Sequence, residues 1–261
     1  MCGDSTRKWN RGIQNELTRN NILDLALGNI PAIYIRYFIN EATAASIRQV
    51  YSSLAHGYYK DVIPKIKKIG PTVFEHTFAD RERYFAEARE TGELFSSAMK
   101  DIVPPLRIFQ RNLQEQCGWR SQVASDHVFG EYFAGTLRSI EEGTPVHIDF
   151  APHESPGWEM IGFVESQLAA NVYLDVTSEH GDLVIYDKFW TPDEERYRFK
   201  NRFGYDDATV RGKSCEVIKP TSGSMVLFNS RFFHRVEATW QRRLTYSFFC
   251  ALHDGNVIHW S

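Results

Sequence analysis

The sequence predicts a mainly β protein with flanking helices: a jelly-roll core (double-stranded β-helix) over 129–261, behind a helix-rich part over 1–128. Three observations predict it. From Phe129 onward, eight short runs of β-branched and aromatic residues follow one another, separated by turn residues. The preceding half instead carries apolar residues at helical spacing. No repeat, low-complexity tract or Pro/Gly/Ser linker divides the chain, so 1–261 reads as a single domain.

In order along the chain, residues 31–38 (PAIYIRYF) read as a strand. Asn40 caps a helix in which Ile47, Val50, Tyr51 and Leu54 recur on one face. A second strand is expected over 71–78, a long helix from Asp80 to Met99, and a third over Pro105–Gln116, stopped by Gly118. The eight β runs are GTLRSI, TPVHID, QLAANVYLDV, GDLVIYD, CEVIKP, GSMVLFN, FHRVEA and RRLTYSFFCAL. Between the fourth and fifth lies an insert, Thr191–Lys213, polar and aromatic, of a length that is usually functional or mobile.

Composition excludes several classes. With 43% hydrophobic and 14% aromatic residues the chain can offset its ordering entropy, which excludes disorder. No stretch reaches the roughly 20 apolar residues of a membrane span, and MCGDSTRKWN lacks the apolar run of a signal peptide. A formal charge of −3 gives no reason to expect nucleic acid. Cys2, Cys117, Cys215 and Cys250 form no CxxC pair, which points to a reducing cytoplasmic compartment.

Two HxD triplets occur, His147-Ile148-Asp149 and His180-Gly181-Asp182. With nine His and 14 Asp in the chain, chance alone supplies about half a triplet, so an HxD by itself is weak. A third ligand changes that, because two imidazoles and one carboxylate on one face of a metal leave positions open for substrate and O₂. In an extended segment residues i and i+2 share a face, so His147 and Asp149 can converge on one ion. His234 follows a strand and turn and supplies the third ligand. Arg243 lies nine residues further on, suited to an acidic co-substrate, and Thr245 shares its strand face. His180 and Asp182 sit in a turn with only about five strands to follow, and are set aside.

His147-x-Asp149, His234 and Arg243-x-Thr245, in this order on predicted strands, resemble the Fe(II)- and 2-oxoglutarate-dependent oxygenases. GDLVIYDKFWTP, GSMVLFNSRFFHRV and the closing NVIHWS extend the likeness. They are similar to small-molecule and amino-acid hydroxylases related to the carrier-independent indole-alkaloid halogenases. The resemblance implies Fe(II) held by His147, Asp149 and His234. It also implies 2-oxoglutarate paired with Arg243 and Thr245, and O₂ as the oxidant, giving succinate. Those halogenases carry Gly or Ala where this chain has Asp149, which implies hydroxylation here.

Other residues carry open alternatives. Asn171 and Tyr173 share a strand face and either line the co-substrate pocket or pack in the core. Arg138 either pairs with a substrate carboxylate or makes a structural salt bridge. Phe150, Trp190 and Phe199 either wall a substrate site or belong to the core. The implied substrate is a small molecule, with an amino acid or its derivative favoured over a protein. A homodimer through the N-terminal helices stays open. Desaturation, cyclisation or epoxidation at the same site, a cupin-like isomerase or Zn hydrolase, and a non-catalytic jelly-roll binding module are the competing readings.

Overall fold

A computed structural model describes residues 9–176 and 180–261; Cys2 and the rest of 1–8 lie outside the described residues. The helices are α1 (Arg19–Ala26), α2 (Glu41–Ser53), α3 (Arg81–Ala98), α4 (Pro105–Asn112) and the short α5 (Ala151–Glu154). The first strands are β1 (Ile33–Ile35), β2 (Gly57–Tyr58), β3 (Lys67–Ile69), β4 (Ser121–Val123), β5 (Ser125–Asp126), β6 (Gly130–Glu131) and β7 (Thr136–Ser139). Then come β8 (Leu168–Val176), β9 (Leu183–Phe189), β10 (Cys215–Ile218), β11 (Met225–Asn229), β12 (Phe232–Val236), β13 (Arg243–His253) and β14 (Asn256–Trp260). The major sheet runs β1-β11-β8-β13-β7-β3-β2. β14 pairs with the second half of β13, beyond the end of β7. The minor sheet is β10-β9-β12. This is the expected jelly roll with its flanking helices.

Side-chain alternation explains how the layers form. Along β8, Leu168, Ala170, Val172 and Leu174 face the helices, packing with Ile47 and Val50 of α2 and with Phe109 of α4. The intervening Ala169 and Tyr173 face the barrel interior, against Ile185 and Phe232 of the minor sheet. Both faces of β8 are buried, so its sequence is nearly all apolar. The outer face of the minor sheet is covered by the insert, where Tyr205 and Val210 pack on Val184, Tyr186 and Phe233. Cys117 and Cys250 are buried thiols and Cys215 is exposed.

Three local expectations change. The strand expected over 71–78 is a pair of 3₁₀ turns, 73–75 and 78–80, and the strand falls earlier, in β3. Pro71 has no amide to donate to a ladder, and Thr72 bonds its hydroxyl to the Glu75 carboxylate, closing a turn instead. TPVHID forms two isolated bridges, Val146 to Tyr205 and His147 to His234, rather than a full strand. The C-terminal β14 adds a strand absent from the eight runs. Elsewhere Asn40 caps α2 as expected, accepting from Thr43 N at 2.8 Å. α4 passes into a π-helical turn that ends at Gly118 in the left-handed region, φ 69°.

His259 on β14 is fully buried, with neither ring nitrogen hydrogen-bonded among the described residues and the rings of Phe109 and Phe248 edge-on to it. Burial pulls its pKa down to about 3. Above the unfolded value near 6.5 both states are neutral, and the residue contributes no pH dependence. Below it the unfolded chain takes up a proton that the fold refuses, so stability falls by about 1.4 kcal/mol per pH unit. Between pH 6.5 and 4.5, His259→Phe should lose less stability than the wild type in urea titrations. Parallel pH profiles would contradict that.

Candidate metal centre and co-substrate pocket

The HxD segment is placed by backbone pairing. His147 N donates to His234 O and His234 N to His147 O, both at 2.9 Å, so the two residues lie directly opposite. Asp149 N donates to Ser230 O at 2.9 Å. The segment thereby extends the edge of the minor sheet, with its other side bridged by the insert at Val146 and Tyr205. Gly204 permits that bridge. At φ 98°, a Cβ there would lie 2.7 Å from Pro145 Cγ and 2.9 Å from Val146 O.

The side chains then converge. Candidate ligand atoms of His147, Asp149 and His234 all lie within 4.8 Å of one another. The imidazole centroids are 4.1 Å apart, and His234 Nε2 is 3.5 Å from Asp149 Oδ2. His147 Nδ1 faces Pro145 O at 2.9 Å and His234 Nδ1 faces Phe232 O at 2.8 Å. A carbonyl only accepts, so each Nδ1 carries the proton and each Nε2 keeps its lone pair for a metal. Burial, then the neighbouring His234, pulls His147 down to about 3, which keeps it neutral as a ligand must be. Burial pushes the Asp149 carboxyl up, but the polar groups facing it, His234 first, outweigh burial and hold it below its ordinary value. A neutral N₂ set with one carboxylate fits a divalent transition metal. Among the described residues one other such group, Asp126, His127 and Glu159, is more open to solvent, with His127 exposed. His180 and Asp182 belong to neither.

Arg243 lies 2% exposed on the inner face of β13. Its Nε donates to Gly181 O at 2.9 Å and an Nη to the Tyr173 hydroxyl at 3.3 Å, both neutral acceptors. Burial leads the lowering of its pKa, yet a guanidinium stays charged, so a ligand carboxylate is the natural complement. The second HxD therefore matters through its glycine. Gly181, at φ 89°, carries the carbonyl that aims Arg243, and a Cβ there would sit 3.1 Å from Arg243 Cδ.

Between the sheets lies a cavity whose lining includes the metal cluster, Arg243, Arg138 and Asn171. Arg138 donates to Asn171 Oδ1 at 2.7 Å and to Ser247 Oγ at 3.2 Å. Thr245 lies on the same face, its hydroxyl 3.0 Å from Ser247 Oγ. Tyr173 touches the site through Arg243. Phe150, Trp190 and Phe199 are not among the residues lining this cavity. Phe150 and Trp190 pack behind the metal edge with Tyr205 and Val210, and Trp190 Nε1 is bound to Glu195 at 2.8 Å. Phe199 stacks under Arg202, 3.9 Å from its ring centre, away from the cavity. The ring the insert turns inward is Phe203, 5.1 Å from His147. Phe203 N donates to Asp61 O at 3.1 Å, joining the insert to the β2–β3 loop. Phe74 bridges Phe203 and Tyr59, at 5.9 and 5.5 Å, completing the rim. Ser247 was readable as the next same-face residue after 243 and 245. Tyr59, Phe74 and Phe203 carried no local signal.

A double-stranded β-helix whose cavity is lined by two imidazoles, a carboxylate and a buried Arg defines an Fe(II)/2-oxoglutarate-dependent oxygenase. The chain belongs to the family described as "Carrier-protein-independent halogenase WelO5", whose model matches residues 13–261. The leucinostatins biosynthesis cluster protein S of Purpureocillium lilacinum is 31% identical over 188 residues, 69% of this chain and 75% of that protein. The L-gamma-glutamyl-L-propargylglycine hydroxylase of Streptantibioticus cattleyicolor is 29% identical over 132 residues, 49% of this chain and 48% of that protein. An N-substituted L-amino acid dioxygenase from Burkholderia ambifaria shares the fold, with a TM-score of 0.64 at 14% identity, over 93% of this chain and 91% of that one. Among the described residues no helix is long and apolar enough to cross a membrane.

Proposed function

We propose that this protein hydroxylates an unactivated C–H bond of an amino acid or amino-acid-derived natural product. The convergence of His147, Asp149 and His234 on one point of a cavity that also holds a buried, neutrally partnered Arg243 carries the proposal. The first three would hold Fe(II). Arg243 would pair with the distal carboxylate of 2-oxoglutarate, with Thr245, Tyr173 and Asn171 on the same inner face. Iron, 2-oxoglutarate and O₂ together supply C–H oxidation, releasing succinate and CO₂. The chain's own work is positioning: the rim of Tyr59, Phe74 and Phe203 restricts water, and the cavity fixes which hydrogen is presented. A misplacement of about 1 Å can cost on the order of a hundredfold in rate. Asp149 fills the position that Gly or Ala leaves open in the resembling halogenases, which supports hydroxylation over halogenation. Both the hydroxylase and the dioxygenase named above act, by their names, on amino-acid derivatives.

Succinate release from 2-oxoglutarate tests this, using γ-glutamyl, N-acyl and free L-amino acids as candidate substrates. Succinate formed in step with a hydroxylated product is the expected result. Chlorinated product in chloride buffer, or no substrate-dependent succinate across the panel, would contradict it.

A further inference from the structure

Beyond Arg138 the cavity continues into a smaller lobe, whose lining includes Thr136, Thr72, Ser247, Ala169 and Phe249. Arg138 and Asp149 border both lobes, so whatever enters the smaller one lies beside the metal cluster. Thr136 precedes Arg138 by two residues on β7 and shares its inward face. It is 2% exposed, and its hydroxyl has no hydrogen-bond partner among the described residues. Leaving a buried hydroxyl unmatched is costly, so a polar ligand atom is the expected complement. Next to it, the hydrogen bonds of Arg138 go to two neutral groups, Asn171 and Ser247, so the guanidinium brings a positive charge to the same place.

We propose that the lobe behind Arg138 seats the α-carboxylate of the substrate, one oxygen on the Arg138 guanidinium and the other on the Thr136 hydroxyl. This rests on the amino-acid reading above and narrows it: the substrate carries a free carboxylate, and an amide or ester in its place is rejected. The guanidinium fork suits a planar carboxylate, and a neutral carbonyl would leave its charge uncompensated. Ala169, Phe248 and Phe249 give the lobe apolar wall beside the polar Thr72, Ser247 and Ser261, and the Asp149 carboxylate at its border disfavours a second negative charge, so one anionic group is accommodated rather than a dianion.

The test uses protein loaded anaerobically with Fe(II) and saturating 2-oxoglutarate, so that Arg243 is already occupied and no turnover occurs. Thermal unfolding is followed against a series of N-acetyl-L-amino acids and the matching C-terminal amides. Acids should raise Tm and amides should not. Thr136→Val should raise the acid concentration for half-maximal shift by about tenfold, and Arg138→Gln by on the order of a hundredfold. The visible charge-transfer band of the chelated metal should persist in Thr136→Val. Equal stabilisation by acids and amides, no stabilisation by either, or an unchanged response in Thr136→Val would overturn the assignment. So would loss of the band in Arg138→Gln without a change in acid preference, since Arg138 would then serve 2-oxoglutarate. A wild type that never forms the band would sink the oxygenase reading instead, and the acid–amide comparison would still report on the lobe.

Discussion

Arg243→Ala should raise the 2-oxoglutarate concentration needed for half-maximal turnover by on the order of a hundredfold, with far less loss of kcat at saturation. The reason is the environment of the guanidinium. It is 2% exposed, and its hydrogen bonds go to Gly181 O and the Tyr173 hydroxyl, neither of which cancels its charge. A dicarboxylate that supplies the cancelling charge gains more there than at a solvated surface, where such pairs contribute little. Arg243→Lys should recover only part of the loss, because an ammonium lacks the fork that meets a carboxylate with two bonds. Steady-state kinetics against 2-oxoglutarate decide the matter. A KM unchanged in Arg243→Ala would move the distal carboxylate elsewhere, with Arg138 the next cation along the cavity.

The second large effect concerns Asp149. Asp149→Asn keeps the shape of the side chain but removes the negative charge that faces both imidazoles, and Fe(II) affinity should fall by at least about a hundredfold. Even outer partners of metal ligands cost roughly 10–100-fold when removed, and this group belongs to the ligand set itself. Competition with a chromophoric chelator measures it, and hydroxylation should disappear at iron concentrations that saturate the wild type. The backbone should be undisturbed, because Asp149 is tied to Ser230 through its main chain, N to O and O to Oγ. An Asn variant that binds iron as the wild type does would remove the carboxylate from the metal set.

How much of this was legible in the sequence depends on the range over which each feature is specified. Strand alternation is local, and it showed that 243 and 245 share a face and that 147 and 149 can converge; one more step of the same alternation reaches Ser247. The order His147-x-Asp149, His234, Arg243 needs no knowledge of the turns between them. Seven of the eight β runs form strands; TPVHID does not, since its bridges depend on the insert and on His234. The cavity rim was illegible for a different reason. Tyr59 and Phe74 come from the helix-rich half, over 60 residues before the metal segment, and Phe74 meets Phe203 where the insert folds back at Gly204. Within that insert no periodicity distinguishes Phe199 from Phe203. The hydrogen bond from Phe203 N to Asp61 O helps to place the inward ring. Likewise, the lobe behind Arg138 follows from cross-strand registry, Thr136 opposite Ser247 and Arg138 opposite Thr245, which the sequence of β7 alone does not contain.

The most direct measurement is an anaerobic titration of purified protein with Fe(II) and then 2-oxoglutarate, followed by visible absorption. A weak charge-transfer band should appear in the wild type with one equivalent of each. It should be absent in His234→Ala and should require far more 2-oxoglutarate in Arg243→Ala. Metal retained by the wild type with no band on adding 2-oxoglutarate would contradict the assignment of the site and leave a jelly-roll metal protein of a different chemistry.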